Sequence, residues 1–297
     1  MQISGKTKLF GIVGYPVGHS LSPAMHNKAF ELLQLDHCYL PLPLEPPDLP
    51  KGVAGLRALG FAGFNVTIPH KEAVLQFLDE VDPEAAGMGA VNTVLNRDGR
   101  LIGFNTDGRG FLRSVSELWD FTPAGRNIVI LGAGGAARAI AAALAAAGAQ
   151  SVTIANRNPE RAKKLAQALG DRFPCRFSGV GLEVRELDLA LEQSSLVVNT
   201  TPVGMYPQVD SEPPINPARL FTHNFVCDTI FNPWETRLLR EAKSKGCTTA
   251  NGLGMLLHQG TLAFELWTGK PAPVEAMREA LLAAVSPSHV TDGAIKG

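Results

Sequence analysis

The chain is poor in cysteine, and its four, Cys38, Cys175, Cys227 and Cys247, stand far apart with no Cys-x-x-Cys pair. That spacing supports neither a disulfide framework nor a thiolate metal site. It fits small buried hydrophobes in a reducing compartment. No charge of one sign dominates. Lys and Arg total 27, Asp and Glu 28, and no run of like charges stands out. A general nucleic-acid surface and a polybasic membrane contact are therefore not expected. Long apolar runs are missing too. The most apolar stretch, Ala139 to Ala149, is Ala-rich and falls short of the ~20 residues that span a membrane. No signal peptide follows Met1, so a cytoplasmic protein is expected. There is no internal repeat and no low-complexity segment.

What is present is ordinary for a folded protein: 297 residues, 45% hydrophobic and 19% charged, enough for one large or two ordinary domains. Short β-rich runs alternate with helical ones, the pattern of an α/β fold with largely parallel sheets. In the first half, strands are expected at Lys8–Val13, Cys38–Leu42 and Gly63–Ile68. Helices are expected from Ser22, which would cap one, over Asp48–Leu59, and over His70–Leu78. Pro41 to Pro50 reads as a Pro-rich loop. Asp98-Gly99 lies between two β-rich runs and predicts a hairpin. From Gly125 onward, strands at Asn127–Leu131, Ser151–Ala155, Leu196–Asn199 and Phe225–Asp228 alternate with helices, as in a doubly wound dinucleotide-binding domain. Three helices, Thr236–Lys245, Gly252–Trp267 and Val274–Ala284, finish the chain, and Ser286–Gly297 reads as a loose tail.

The sharpest local signal is Gly132-x-Gly134-x-x-Ala137 between a strand and a helix. Gly132 permits the tight turn and Gly134 lets backbone approach a pyrophosphate. Ala137 is small enough for close helix–strand packing, and the helix N-terminus faces the phosphates. A bare turn is the plain alternative. At the end of the next strand an NAD binder places a carboxylate for the ribose hydroxyl. This chain has Asn156-Arg157-Asn158-Pro159-Glu160-Arg161 there. Arg157 and Arg161 suit a 2′-phosphate, which favours NADP over NAD.

The first half concentrates polar residues at strand ends. Ser20 and Ser22 precede a helix and can face an anion, although capping alone also explains Ser22. Strand alternation puts Asn65 and Thr67 on one face. Lys71 falls in what reads as a first helical turn, a poor place for a cation. Asp107 precedes Gly108, as turn residues often do. A lysine and an aspartate beside a reacting hydroxyl would make an acid–base pair.

Across nearly the whole chain these motifs, in order, resemble the shikimate dehydrogenase family. They are Gly18-His19-Ser20-Leu21-Ser22-Pro23, Asn65 to Glu72, Ala90-Val91-Asn92-Thr93, Asn105-Thr106-Asp107-Gly108, the glycine loop, Asn156-Arg157, Asn199-Thr200-Thr201-Pro202-x-Gly204-Met205 and Asn251-Gly252-Leu253-Gly254-Met255-x-x-x-Gln259. The resemblance implies NADP-linked interconversion of 3-dehydroshikimate and shikimate. By it, Ser20 and Ser22 hold the substrate carboxylate, and Asn65, Thr67, Asn92 and Gln259 hold ring hydroxyls. Lys71 and Asp107 lie beside the reacting oxygen as the catalytic pair. Gly132, Ala133, Gly134, Gly135 and Ala136 cradle the pyrophosphate, and Asn156, Arg157 and Arg161 the adenosine phosphate. Thr201, Thr229, Gly252 and Met255 line the nicotinamide side, and no metal is implied. Two positions depart from the family pattern. Phe231 stands where a tyrosine is frequent, keeping a ring against the substrate without its hydroxyl. Asn251 stands where an aspartate is frequent.

The fold implied is α/β with two domains. A substrate-binding α/β domain spans 1–108, completed by C-terminal helices within 253–297. A Rossmann-type doubly wound NADP-binding domain spans 109–252. The ligands are expected in the cleft between them. The partner is a small-molecule substrate, with no nucleic acid and no membrane, and a homodimer stays open as one assembly. Two rival functions remain. One is a quinate/shikimate dehydrogenase of broader specificity. The other is a non-catalytic NADP-binding sensor, which would keep the glycine loop and dispense with Lys71 and Asp107.

Overall fold

Two six-stranded sheets carry the chain, each in its own unit: the residues up to Gly110 with Leu257–Val285, and Phe111–Leu256. The computed structural model describes residues 3–285, so the expected tail Ser286–Gly297 lies outside the described residues. The expected boundaries at 108 and 252 fall just before these divisions. Both divisions lie inside helices, α4 and α9 below.

The first unit contains β1 (Lys8–Gly14), α1 (Ser22–Leu32), β2 (His37–Pro43), α2 (Leu49–Ala58), β3 (Gly63–Val66), β4 (Glu80–Val81), α3 (Pro83–Met88), β5 (Thr93–Arg97) and β6 (Arg100–Phe104), and α4 (Asp107–Trp119) begins in it. Its strands run in the order β2-β1-β3-β5-β6-β4. β1 is parallel to β2 and β3, while β3, β5 and β6 pair antiparallel. The β5–β6 hairpin turns through Asp98 and Gly99, both at positive φ, which matches the right-handed twist of its strands. β2 runs on through Pro41 and Pro43, where a loop was expected. An edge strand tolerates proline because its outer N–H groups have no ladder partner to lose.

Two further expectations fail here. The segment after Pro69 is no α-helix but a single 3₁₀ turn, Ala73–Phe77. Lys71 precedes that turn and its carbonyl accepts from Val91 N–H, so no helix dipole bears on it. Ser22 is the first residue of α1 rather than its cap. The cap position is Leu21, without a side-chain bond.

One part of this unit's core is aromatic, beside an aliphatic cluster that includes Val13, Leu49, Val53, Val66 and Leu101. Phe10 packs on Phe30 and Trp267, at centroid separations of 5.4 and 5.2 Å. Fully burying each such ring contributes about 1.5–3 kcal/mol. His26 lies within this cluster, stacked on Tyr39 at 4.5 Å and 14°. It is wholly buried, and among the described residues neither ring nitrogen has a hydrogen-bond partner. Burial pushes its pKa down to about 3.

The second unit contains β7 (Asn127–Leu131), α5 (Gly135–Ala146), β8 (Ser151–Ala155), α6 (Pro159–Gly170), β9 (Arg176–Val180), α7 (Arg185–Gln193), β10 (Leu196–Asn199), β11 (Phe225–Asp228), α8 (Arg237–Ser244) and β12 (Thr248–Ala250). The chain returns to the first unit along α9 (Leu253–Thr268), and α10 (Val274–Ala284) is the last element among the described residues. Every strand pair is parallel, in the order β12-β11-β10-β7-β8-β9. Counted from β7 this is the 3-2-1-4-5-6 order of a Rossmann sheet, with its switch point between β7 and β10. Val129, Leu131, Val197 and Val226 meet Leu187, Leu191, Leu238 and Leu239 in one buried cluster.

Candidate active site

In the first unit a hydrogen-bonded network runs from Tyr39 to the lysine, and the serine loop has its own internal bond. Ser20 Oγ accepts from Ser22 N–H at 3.3 Å. Burial pushes the pKa of the Tyr39 phenol well up. Tyr39 donates to Asn65 Oδ1 at 2.6 Å. Asn65 Nδ2 donates to Asn92 O and Thr93 Oγ1 at 3.1 and 3.0 Å. Asn92 Nδ2 donates to Asp107 Oδ1 at 2.7 Å, and Asp107 Oδ2 accepts from Lys71 Nζ at 2.5 Å. The side chains of Asp107 and Lys71 are 5% and 19% exposed, so the pair is shielded from water while the ammonium stays within reach of it. Gln259 Oε1 stands 3.5 Å from Asn92 Nδ2.

The fold supplies each part. Asn65 lies on β3, Asn92 just before β5, and Asp107 opens α4 with its own N–H held by Asn105 Oδ1 at 3.1 Å. Asn65, Asn92, Asp107, Lys71 and Gln259 are thus brought together, and Ser20 and Ser22 are joined to each other in their own loop. Thr67 is not in the network. It is half-buried past the end of β3, and its N–H donates to Val13 O. Tyr39 was missed by sequence reading. The one available signal was a tyrosine within a strand, whose hydroxyl needs a partner once buried.

In the second unit the glycine loop has the geometry of a phosphate cradle. Gly132 adopts φ +112°, and a Cβ there would lie 2.5 Å from Thr200 Oγ1. Gly134 caps α5 without any side chain, which leaves the first-turn N–H groups to a ligand. Ala133, Gly135 and Ala136 are half-buried beside it, while Ala137 is buried against the sheet. Asn156 Nδ2 donates to Asn158 O, and Asn158 caps α6, which puts Arg161 in its first turn. Arg157 and Arg161 are exposed, and among the described residues neither makes an ion pair. Two free guanidiniums and an open helix N-terminus fit a dinucleotide carrying a 2′-phosphate.

Across the switch point, the ends of β10 and β11 are tied together. Asn199 Nδ2 donates to both oxygens of Asp228 at 3.1 Å. Asp228 also accepts from Ile230 N–H at 3.0 Å and Thr236 Oγ1 at 2.9 Å. Burial pushes its carboxyl up to about 6, opposed by these donors. Thr201 donates to Asn199 Oδ1 through both N–H and Oγ1, and Thr229 Oγ1 donates to Asn199 O. Gly252 passes so close to Thr229 that a Cβ would lie 2.1 Å from its carbonyl oxygen. Met255 and Phe231 are both half-buried. Asn251 donates to Trp234 O at 3.0 Å and accepts from Leu253 N–H at 3.1 Å. An aspartate could do only the second.

A Rossmann sheet with a glycine loop on its first strand, in a chain whose other unit holds a part-buried lysine–aspartate pair, defines the two-domain class of α/β dinucleotide-dependent oxidoreductases. A protein of Desulforamulus reducens named shikimate dehydrogenase (NADP(+)) is 47% identical over 94% of this chain and 96% of its own. The chain belongs to the shikimate dehydrogenase family. Family profiles agree along its length. Residues 12–94 match the shikimate dehydrogenase substrate binding domain, 118–202 shikimate / quinate 5-dehydrogenase, and 252–282 the shikimate 5′-dehydrogenase C-terminal domain. A crystal structure of a shikimate dehydrogenase in complex with NADP+ superposes with a TM-score of 0.89 at 42% identity, covering 96% of this chain and 98% of that one. The Thermus thermophilus enzyme in complex with NADP(H) and shikimate gives 0.82 at 42% identity, over 93% and 99%. Among the described residues no helix is long and apolar enough to cross a membrane, and no cluster of His, Cys, Asp and Glu could hold a metal ion.

Proposed function

We propose that this chain catalyses the reversible NADPH-linked reduction of 3-dehydroshikimate to shikimate, a step towards chorismate and the aromatic amino acids. The observation that carries the reading is the Lys71–Asp107 pair at the end of a buried polar chain, in a member of this family. The sensor alternative has no use for it. NADPH, when bound, supplies the hydride. Gly132 to Ala136 would hold its pyrophosphate, Asn156, Arg157 and Arg161 its 2′-phosphate, and Thr201, Thr229, Gly252 and Met255 its nicotinamide end.

The chain's own residues do the rest. As the substrate carbonyl carbon gains the hydride, the π pair of the C=O bond moves onto oxygen. Lys71 presents an ammonium to that oxygen, stabilises the negative charge, gives it a proton and becomes a neutral amine. Solvent restores the proton. In the reverse direction the amine takes the proton from the hydroxyl. Asp107 accepts from both Lys71 and Asn92 and so fixes the amine in place. Asn65, Thr67, Asn92 and Gln259 hold ring hydroxyls. Asn65 Nδ2 already donates twice within the protein, so Asn65 would accept from a hydroxyl through Oδ1. Phe231 gives its ring to packing.

Ser20 and Ser22 hold the substrate carboxylate in this reading. Their double change to Ala is expected to weaken shikimate binding by roughly tenfold or more, since hydrogen bonds to a charged group contribute about 1.5–3 kcal/mol, and to leave NADP+ binding alone. Calorimetric titration with each ligand checks this. Unchanged shikimate affinity would reduce both serines to packing.

Cofactor choice rests on Arg157, with Arg161 helping. Losing one charge-assisted bond to a 2′-phosphate costs about 1.5–3 kcal/mol. Arg157→Ala is therefore expected to raise the Michaelis constant for NADP+ by roughly ten- to a hundredfold and to leave that for NAD+ nearly unchanged. Equal losses with both cofactors would overturn the assignment.

The function itself is tested by supplying purified protein with NADP+ and shikimate, then quinate, and repeating with NAD+. NADPH formation with shikimate well above the other three combinations is expected. Comparable rates with quinate would move the reading to the broader-specificity enzyme. The proposal includes a cytoplasmic setting, which suits the free thiols of Cys38, Cys175, Cys227 and Cys247. It also includes a homodimer, which light scattering reads directly.

A further inference from the structure

Asp228 is a fully buried carboxylate at the end of β11, and among the described residues it touches no cation. All its partners are donors: Asn199 Nδ2, Ile230 N–H and Thr236 Oγ1. That fixes the orientation of the Asn199 amide. With Nδ2 aimed at Asp228, Oδ1 must face the other way, and there it accepts from both Thr201 N–H and Thr201 Oγ1, at 3.0 and 2.7 Å. The charge at 228 therefore decides which end of Asn199 the Thr201 loop meets. Asn199 also anchors Thr229 through its backbone carbonyl. Both strand ends lie at the C-terminal edge of the Rossmann sheet, where dinucleotides bind.

We propose that Asp228 is a positioning residue for the cofactor, acting through Asn199 to hold Thr201 in its binding geometry. The inference rests on the reading that Thr201 lines the nicotinamide side.

The hydrogen-bond inventory predicts what each substitution does. In Asp228→Asn, the new amide cannot accept everywhere the carboxylate did. Because Asn199 Nδ2 reaches both carboxylate oxygens, the new NH2 faces the Asn199 NH2 whichever way it turns. Turning Asn199 over relieves that clash, but it then presents NH2 to the N–H and hydroxyl of Thr201. Asn199→Asp alone sets two buried carboxylates against each other. The exchange Asp228→Asn with Asn199→Asp is different. The amide now at position 228 would accept from Ile230 N–H through its oxygen, while its NH2 would donate to the carboxylate now at position 199 and to the Thr236 hydroxyl, which can accept as well as donate. That carboxylate would in turn accept from Thr201, so the 199–228 link and both Thr201 bonds of the parent are available again.

The test is calorimetric NADP+ binding, with a melting curve for each protein. Asp228→Asn is expected to weaken NADP+ at least tenfold and leave shikimate affinity within about twofold. The exchange is expected to bring NADP+ affinity back to within about threefold of the parent. A merely structural carboxylate predicts a lowered melting temperature with NADP+ affinity unchanged in the folded fraction, and that result overturns the proposal. So does an exchange variant that folds and does not regain affinity, and this arm holds even where Asp228→Asn itself folds poorly. Thr201→Val separates the two levels. If it weakens NADP+ while Asp228→Asn does not, the inference fails and the reading of Thr201 stands. If Thr201→Val binds like the parent, the reading of Thr201 fails and the route from Asp228 fails with it.

Discussion

Lys71→Ala is expected to lower the turnover number for shikimate oxidation by about 10²–10⁴-fold, the range that general acid–base catalysis supplies. The Michaelis constant for shikimate should move little, because the ammonium acts on charge that develops during the reaction more than on the bound ground state. The geometry gives the reason. Lys71 reaches Asp107 with one of its three N–H donors, and its side chain, 19% exposed, keeps the others for a substrate oxygen. Asp107→Asn is expected to behave differently and to cost both turnover and shikimate affinity. Asp107 accepts from Asn92 on one oxygen and from Lys71 on the other, so an amide there removes a charge and also sets its NH2 against one of these two donors. The competing account is a structural ion pair away from the chemistry. It predicts that both variants lose thermal stability and keep their turnover, and a melting curve beside a steady-state assay decides between the two.

The second large effect concerns folding at low pH. His26 is expected to make the first unit acid-labile. Its pKa is about 3 in the folded chain and near 6.5 when unfolded, so the folded state resists protonation and the unfolded state does not. Between those values the unfolded chain binds more protons, and stability falls as pH is lowered. The stabilising contribution is whole above about pH 6.5, shrinks as pH falls, and reaches a loss on the order of 4 kcal/mol near pH 3. His26→Phe keeps an aromatic ring against Tyr39 and Trp267 and removes the titration. Urea unfolding at neutral pH and at pH near 4.5 measures the difference. The variant should narrow the gap between the two conditions by about 2–3 kcal/mol, whatever its absolute stability. An unchanged gap would show that His26 finds a partner or water that the packing does not reveal.

The two units were not equally legible in the sequence. β7, β8, β10 and β11 are central parallel strands buried on both faces, so each is a short continuous apolar run with polar or glycine punctuation. Their expected limits match the structure. β9, β12 and α7 carry too few apolar residues to be seen. Thr248–Ala250 is a polar edge strand, and α7 buries only Leu187 and Leu191. In the first unit β4 is two residues long and α3 six, shorter than any periodicity can register. The helix expected after Pro69 failed because Val74, Leu75 and Phe77 have helical spacing but form only a 3₁₀ turn.

The site was legible as a set of residues and not as a network. Lys71 and Asp107 stand out by chemistry, yet their contact spans 36 positions and no local pattern encodes it. Asn92 looked like one more polar residue at a strand, whereas its side-chain amide ties Asp107 and Thr106 together and its backbone carbonyl takes the Asn65 arm. Tyr39 and His26 were invisible for the same reason. Their roles come from burial against each other across β2 and α1.

The central claim is hydride transfer between a nicotinamide and the carbinol carbon of shikimate. It is tested most directly by running the reduction of 3-dehydroshikimate with NADPH deuterated at the transferable position and weighing the product. The account predicts shikimate carrying one deuterium at the reduced carbon with every turnover. Shikimate formed without deuterium, or no shikimate formed while NADPH binds, would contradict it.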